Sequence, residues 1–250
     1  MKKSRVDVLL VERGLVESRT RAQALLIAGR VYSGEQRIDK PGTMLSPEVP
    51  LSIRGDDNPF VSRGGLKLAG ALETFAPLGL DPRGKVAVDV GASTGGFTDC
   101  LLQRGATRVH AIDVGWGQIH PKLRADPRVD VRERTNAKTL QASDFPDPID
   151  LIVVDASFIG LGSLAAALAA TVRPGGELCA MIKPQFEAGR EEVRRGRGVI
   201  RDEGVRQGAI RKATSALVTA GFLVVGECDA PLAGPKGNLE RFVYARRPER

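Results

Sequence analysis

One segment of the chain has the composition of a ligand-binding turn. The apolar run Val86–Val90 is followed directly by the glycine-rich residues 91–97, and a helical pattern continues from 98 to 104. Glycine lets the backbone approach a ligand closely, and the free N–H groups at a helix start bind anions such as a carboxylate. This order of strand, glycine-rich turn and helix predicts a site for a nucleoside cofactor. A plain tight turn between a strand and a helix is the alternative.

The spacing around this turn narrows the kind of cofactor. Ser93 stands where a dinucleotide fingerprint needs glycine, and no Gly-Lys-Ser/Thr sequence follows, so pyrophosphate binding is disfavoured. Asp113 ends the next apolar run 22 positions after Gly91. An acid about 20 positions after the turn is typical of a ribose-binding carboxylate. Together with the turn, this spacing favours ribose binding by Asp113 over the alternative, a cap on a strand-end turn.

Three charged residues lie where strands of a predicted sheet end or begin. Asp155 and Lys183 each follow directly after an apolar run, and Glu240 comes shortly before one. In parallel α/β sheets, ligands bind at the carboxyl ends of the strands. A desolvated lysine beside another cation can accept a hydroxyl proton or stabilise an alkoxide. For any one of these residues alone, a strand-end salt bridge is the commoner explanation.

The elements that must position these residues follow an α/β pattern. Seven short apolar runs alternate with helix-like segments, which is typical of a doubly wound, mostly parallel sheet. The runs are 86–90, 109–112, 129–132, 151–154, 178–182, 222–225 and 242–245. A long helix with an apolar stripe is predicted from Asp202 to Ala220, with Gly221 as its stop.

Residues 1–54 predict a small α+β domain of their own. Ser4 and Asp7 resemble a capping-box start for a first helix, and Ser18 can cap a second. Short apolar runs separated by turn residues then predict strands.

The polar, turn-rich residues 55–62 are the predicted linker, and 63–250 the second domain.

Composition limits the class of function. With 42% hydrophobic and 27% charged residues, the chain is neither disordered, collagenous nor a coiled coil. A net charge of +7 favours a polyanionic partner such as nucleic acid. Three scattered cysteines suggest neither a disulfide framework nor a metal site, so a cytoplasmic protein is expected. No apolar run reaches the ~18 residues of a membrane helix.

Several arginines lie on or beside the first two predicted helices, between apolar positions. They are Arg5, Arg13, Arg19, Arg21 and Arg30. Packing of the apolar positions is expected to leave these guanidinium groups exposed, where they can pair with phosphates. A merely solvated basic face explains the charges equally well.

The residue order of this region resembles the S4 RNA-binding domain over about sixty residues. The matching segments are 5–15, 18–22, 27–31 and 39–42. The resemblance implies that Arg5, Arg19, Arg21 and Arg30 bind RNA.

The whole chain resembles the TlyA family, in which an S4 domain precedes an FtsJ-like 2'-O-ribose methyltransferase. The resemblance is carried by segments 62–68, 89–99, 155–158, 183–187 and 234–240. It implies a Rossmann-like fold, S-adenosylmethionine (SAM) as the cofactor, and ribosomal RNA in ribosomal subunits as the partner, methylated at cytidine. Neither an obligate protein partner nor a membrane is implied.

The resemblance also implies a catalytic tetrad. Its positions here are Lys67, Asp155, Lys183 and Glu240. We expect Lys183 to accept the 2'-hydroxyl proton or stabilise the alkoxide, with Asp155 and Glu240 orienting it. Lys67 is expected to orient the ribose.

Further site residues are implied in the same way. The cofactor-binding set is Asp89, Gly91, Ala92, Ser93, Thr94, Gly95, Gly96, Phe97, Asp113, Asn136 and Asp155. Asn136 is placed at the adenine, although a turn explains it equally well. Arg63 and Lys236 join the RNA-binding hypothesis. The charged residues 187–201 are either a lid that faces RNA or a solvated loop.

Two other functions stay open. The first is a ribosome-assembly factor that binds RNA and SAM without catalysis. The second, less favoured, is a membrane-damaging haemolysin, a label that some relatives carry.

Overall fold

The computed structural model describes residues 3–54, 58–234 and 236–249. The chain divides into two compact units, 1–57 and 58–250. Of the predicted linker, residues 55–57 lie outside the described residues, and residues 58–62 belong to the second unit, where Phe60 and Val61 pack against its core.

The first unit combines two helices with short antiparallel strands. Its elements are β1 (Ser4–Arg5), α1 (Val6–Glu12), α2 (Arg19–Ile27), β2 (Val31–Ser33), β3 (Gln36–Ile38), β4 (Met44–Leu45) and β5 (Ser52–Ile53). β1 pairs with β4, and β2 lies between β3 and β5. Apolar residues of both helices and of β2 and β3 form one core, among them Leu10, Leu26 and Val31.

The start of α1 differs from its prediction. The capping box is wrong, because Ser4 lies in β1 and Arg5 is the residue before the helix, without a side-chain cap. Asp7 is fully buried and binds cations instead of capping. The predicted cap on α2 is confirmed: Ser18 Oγ accepts a hydrogen bond from Arg21 N at 3.2 Å.

The second unit is a seven-stranded sheet covered by helices on both faces. In chain order its elements are α3 (Arg63–Phe75), β6 (Val86–Val90), α4 (Gly96–Gln103), β7 (Arg108–Ile112), α5 (Pro121–Arg124), β8 (Val129–Arg132), β9 (Ile149–Val154), α6 (Ala165–Thr171), β10 (Val172–Ile182), α7 (Pro184–Glu187), α8 (Arg190–Arg195), α9 (Glu203–Thr219), β11 (Leu223–Asp229) and β12 (Arg241–Arg246). The strand order is β11-β12-β10-β9-β6-β7-β8.

The predicted doubly wound, mostly parallel sheet is confirmed. Strands β10, β9, β6, β7 and β8 are parallel, and only β12 runs antiparallel to its neighbours. Strands β7 and β8 lie on one side of β6, and β9 and β10 lie on the other. The strand order therefore reverses beside β6, and such switch points are where these sheets bind ligands.

Alternate residues of the central strands enter two separate cores. Val88, Ile152 and Val154 pack with α6 and α9 on one face, while Leu151 and Val153 pack with α3 and α4 on the other. Because both faces are covered, the strands are apolar without a polar alternation, which is why they were recognisable as short apolar runs.

The region after β10 is folded into helices. The charged residues 187–201 include the end of α7 and all of α8. The predicted start of α9 is confirmed, since Asp202 Oδ1 accepts a hydrogen bond from Val205 N at 2.9 Å. None of the helices in the described ranges has the length and apolar content needed to cross a bilayer.

Candidate active site

Two cavities open at the carboxyl ends of β6, β9 and β10. The first, about 600 Å³, is lined by all four residues of the predicted tetrad, and we call it the tetrad cavity. The second, about 520 Å³, is lined by Asp113 and Asn136, and we call it the strand-end cavity. Six residues line both: Gly91, Ser93, Asp155, Ser157, Phe158 and Lys183. A ligand in one cavity therefore meets a ligand in the other beside Asp155 and Lys183.

Lys183 directly follows β10. It lies next to Asp155, which directly follows the neighbouring parallel strand β9. Its Nζ lies 2.5 Å from Asp155 Oδ1. It also donates hydrogen bonds to Ser157 Oγ at 2.9 Å and to the Asp155 carbonyl oxygen at 3.2 Å. Three oxygen atoms thus surround one buried amine.

The carboxyl group of Asp155 is affected by burial and by charge in opposite directions. Burial raises its pKa, while Lys183 and then Lys67 oppose that shift, and the net change is upward. Asp155 is therefore a better proton acceptor than an ordinary aspartate.

A second ion pair lies on the wall of the tetrad cavity. Lys67 Nζ on α3 contacts Glu240 Oε2 at 2.5 Å, and both side chains are buried. Glu240 directly precedes β12, so 173 positions separate the partners. The pair gives the wall two opposite charges that can bind hydroxyl groups in fixed directions.

The glycine-rich turn is shaped partly by close packing. Gly91 has a φ of +86°, and a Cβ there would lie 2.9 Å from the backbone of Asp155. At Gly95, where φ is +97°, a Cβ would overlap Leu123. At Gly96, a Cβ would overlap Ser62 and lie 2.8 Å from Gly65 N. Only glycine allows the turn and the start of α4 to approach α3, α5 and Asp155 this closely.

The predicted cofactor residues divide into three groups. Gly91, Ser93, Asp113, Asn136 and Asp155 line the strand-end cavity. Ala92, Thr94, Gly96 and Phe97 line the tetrad cavity. Asp89 and Gly95 line neither cavity.

Asp89 makes its observed contact within the fold. The residue is fully buried on β6, and its Oδ2 accepts a hydrogen bond from Thr98 Oγ1 at 2.6 Å. Its Oδ1 has no hydrogen-bond partner among the described residues. Burial raises the pKa of Asp89 to about 7. Asp89 therefore holds the start of α4 beneath the glycine-rich turn.

Asp113 and Asn136 combine a turn role with a cavity position. Asp113 accepts hydrogen bonds from Ser93 N at 2.8 Å and Gly115 N at 2.7 Å, which ties the glycine-rich turn to the end of β7. Asn136 Oδ1 accepts a hydrogen bond from Lys138 N at 3.1 Å. The two interpretations of Asn136 are therefore compatible.

The predicted RNA-binding residues have different surroundings. Arg63 and Lys236 are exposed and line the tetrad cavity. In the first unit, Arg5 binds both oxygens of Asp7, at 2.9 and 3.0 Å, and Arg19 binds Oδ2 at 3.0 Å. These two arginines are thus anchored by a buried carboxylate rather than freely solvated, although about half of each side chain remains exposed.

Arg21 and Arg30 are the other two predicted RNA-binding arginines of the first unit. Both are half-buried rather than fully exposed.

Sequence reasoning assigned no role to Ser157, Phe158 or Asn238. Ser157 and Phe158 line both cavities, and Phe158 is 92% exposed with a φ of +66°. Asn238 is buried and binds the backbone after α8, with Oδ1 accepting from Ile200 N and Nδ2 donating to Gly198 O. All three residues lie in segments that carry the family resemblance, 155–158 and 234–240, and this was the only sequence signal for them. Their contacts join segments that are distant in the chain, so local patterns could not predict them.

Comparison with known families agrees with this geometry. Residues 60–247 match the model of the FtsJ-like methyltransferases, and residues 4–49 match the S4 domain. The chain belongs to the FtsJ-like methyltransferase family. With its S4 domain it is a member of the TlyA group, and its cofactor is SAM.

Relatives share almost the whole chain. It is 42% identical to the 16S/23S rRNA (cytidine-2'-O)-methyltransferase TlyA of Mycobacterium tuberculosis, over 98% of this chain and 90% of the relative. It is 37% identical to Hemolysin A of Brachyspira hyodysenteriae, over 96% of this chain and 98% of the relative. A solved structure from Streptococcus thermophilus, provisionally named a hemolysin, superposes with a TM-score of 0.77 at 39% identity, over 100% of this chain and 90% of that one.

The strand-end cavity fits SAM in size and in polar groups. Its volume of about 520 Å³ lies within the ~300–1,000 Å³ of small-ligand sites. Asp113 would hold the ribose diol and Asn136 the adenine, and the glycine-rich turn at Gly91 and Ser93 would lie beside the methionine part. Bound there, SAM supplies an electrophilic methyl group.

Proposed function

We propose that this protein transfers a methyl group from SAM to the ribose 2'-hydroxyl of a cytidine in ribosomal RNA. The observation that carries the proposal is the meeting of the two cavities at Asp155 and Lys183. A nucleotide in the tetrad cavity would present its ribose to a methyl donor in the strand-end cavity. The TlyA relative's name supports cytidine and the 2' position.

The tetrad supplies the proton chemistry that a ribose hydroxyl needs. When the hydroxyl oxygen forms its bond to the methyl carbon, the O–H proton must leave. We assign it to the Lys183–Asp155 pair: the ammonium passes a proton to the carboxylate 2.5 Å away, and the freed amine accepts the hydroxyl proton. The raised pKa of Asp155 favours this transfer.

The other polar groups act by positioning. Ser157 Oγ accepts from Lys183 Nζ and keeps the amine turned toward the junction of the cavities. The Lys67–Glu240 pair offers a donor and an acceptor to the neighbouring ribose hydroxyl and oxygen. Because its two charges cancel, the pair adds no net repulsion against a phosphate.

We further propose that the first unit binds ribosomal RNA within a ribosomal subunit, in the cytoplasm where ribosomes are. Its match to the S4 domain supports this. Arg5, Arg19, Arg21 and Arg30 are the proposed phosphate contacts. Anchoring of Arg5 and Arg19 by Asp7 leaves less side-chain freedom to lose on binding.

The test is methyl transfer from labelled SAM to undermethylated small and large ribosomal subunits, followed by nuclease mapping. The natural protein is expected to produce 2'-O-methylcytidine, and Lys183→Ala is expected to produce none. Tight, salt-sensitive binding of subunits by both proteins without methyl transfer would identify an assembly factor. Dye leakage from liposomes without transfer would identify a haemolysin.

A further inference from the structure

A groove with three cations leads out of the tetrad cavity. It has a volume of about 550 Å³, and Arg194, Arg197 and Lys236 are among the residues that line it. We call it the lateral groove. Five of its lining residues also line the tetrad cavity: Gln185, Phe186, Val193, Gly198 and Lys236. The groove is therefore a continuation of the space in which the ribose is proposed to lie.

The charges of the lateral groove are not neutralised. Arg194, Arg197 and Lys236 are exposed, and none of their side chains forms an ion pair or hydrogen bond within residues 3–54, 58–234 and 236–249. Of the nearby carboxylates, Glu187 is buried and accepts from Leu161 N, and Glu192 faces Arg195 at 3.8 Å. The exposed Glu191 on α8 forms no ion pair with any described residue. No acidic residue is among those lining the groove.

Elsewhere in the same unit, exposed arginines such as Arg83 and Arg211 also lack a partner among the described residues, whereas others are paired. Arg104 binds Glu73, Arg124 binds Glu133, and Arg128 binds Asp126. What distinguishes the lateral groove is that three unpaired cations line one space beside the tetrad cavity, and this clustering favours a polyanionic ligand at this place.

The fold holds these cations in a fixed arrangement, although they come from segments 39 positions apart. After α8 the backbone turns through Arg197 and Gly198, with φ values of +51° and +88°. Asn238 Nδ2 donates to Gly198 O at 2.8 Å, and Asn238 Oδ1 accepts from Ile200 N at 2.9 Å. This buried asparagine fastens the turn that carries Arg197 to the loop that carries Lys236.

We propose that the lateral groove binds the phosphates of the RNA backbone next to the methylated nucleotide. This inference rests on the proposed function. Guanidinium groups bind phosphate oxygens through paired hydrogen bonds, and such contacts set the register of a nucleic acid without reading its sequence. Gln185 lies where the groove meets the tetrad cavity, and its Oε1 has no partner among the described residues.

The experiment compares Arg194→Gln, Arg197→Gln, Lys236→Gln and the triple variant with the natural protein. Arg195→Gln is the matched control, because it removes the same charge from the same helix outside the groove. Affinity for undermethylated ribosomal subunits is measured at several salt concentrations. Single-turnover methyl transfer is measured with enzyme in saturating excess, and SAM affinity by calorimetry reports on folding.

Each groove variant is expected to bind subunits about tenfold more weakly. For each cation removed, the slope of log affinity against log salt should become less steep by about 0.7. The single-turnover rate should also fall, since the groove positions the ribose, while SAM affinity stays unchanged. Arg195→Gln should behave like the natural protein.

Equal affinity and salt slope for the triple variant and Arg195→Gln would overturn the inference and leave the groove to another polyanion, such as an acidic protein segment. Failure of the proposed function is separate: the natural protein itself would then transfer no methyl group to either subunit.

Discussion

In the proposed mechanism, Lys183 and Asp155 share one proton-transfer role, and each depends on the other. Their side chains lie 2.5 Å apart at the junction of the two cavities. An isolated buried carboxylate would be protonated more readily, and an isolated buried lysine would be costly to keep charged. The pair is therefore a better description of the catalytic unit than either residue alone.

Replacement of Lys183 by methionine is the sharpest test at this scale. Lys183→Met keeps an unbranched apolar chain but removes the amine, so single-turnover methyl transfer should fall by at least about 100-fold. SAM affinity, measured by calorimetry, should change little, because the strand-end cavity keeps its other residues. The exposed Lys122 gives the control variant Lys122→Met. A rate for Lys183→Met within tenfold of this control would remove Lys183 from the chemistry.

Asp89 predicts a pH dependence of stability. Its pKa in the folded protein is about 7, against 3.8 ordinarily, so the folded state holds a proton that the unfolded chain releases. The stability associated with this proton is complete below pH 3.8 and is lost as pH rises toward 7, by at most about 1.4 kcal/mol per pH unit.

Asp89→Asn has no such titration. Its free energy of unfolding, relative to that of the natural protein, should therefore increase between pH 5 and pH 8 in chemical denaturation. A difference that stays constant over this range would show that Asp89 keeps its charge when buried.

At the scale of elements, the loop after β9 carries strain at the site itself. Phe158 has a φ of +66°, in the left-handed region of the backbone. Its side chain is 92% exposed, so burial of the ring stabilises the fold little. The ring centroid lies 5.4 Å from that of Phe186, and Phe158 lines both cavities. A bulky residue in this backbone region costs about 1–3 kcal/mol. Such a cost is tolerated where the side chain serves function.

Phe158→Gly should separate stability from activity. Glycine relieves the backbone strain, so the melting temperature should stay the same or rise, while methyl transfer should fall because the junction of the cavities loses its aromatic wall. Phe158→Ala retains the strain and should lose the same activity without the gain in stability. A melting temperature that drops for the glycine variant would mean that the ring supports the fold.

At the scale of the whole molecule, each unit has its own core. The first unit buries one apolar cluster, and the second buries two, one on each face of its sheet. Because Phe60 and Val61 pack into the second unit, and Val61 N donates to Asp99 Oδ2 at 2.9 Å, that unit needs its residues from 58 onward.

A chain of residues 58–250 should therefore fold and bind SAM, while its affinity for ribosomal subunits falls because the S4 unit is missing. Thermal unfolding, calorimetry with SAM and subunit binding measure the three properties. A version that starts at 63 is the comparison and should be less stable. Unchanged subunit affinity for 58–250 would exclude the S4 unit as an RNA anchor.

Much of the second unit was predictable from local patterns. The apolar runs corresponded to its seven strands, most clearly in the central strands, which are buried on both faces and therefore have continuous apolar residues. The glycine-rich turn and Asp202 marked helix starts, because these preferences depend on neighbouring residues alone. The capping box at Ser4 failed because Asp7 has long-range partners in Arg19 and Gln23 that outweigh a local cap.

By itself, the sequence determined the family, the order of the strands along the chain and the residue types available at their ends. The family resemblance already grouped the four tetrad residues. Only the tertiary structure decided which side chains make contact: Lys67 with Glu240, Lys183 with Ser157, and Arg197 with Lys236 across one groove. The physical reason is that strand and helix patterns depend on a few neighbouring residues, whereas a side-chain contact depends on how distant segments pack.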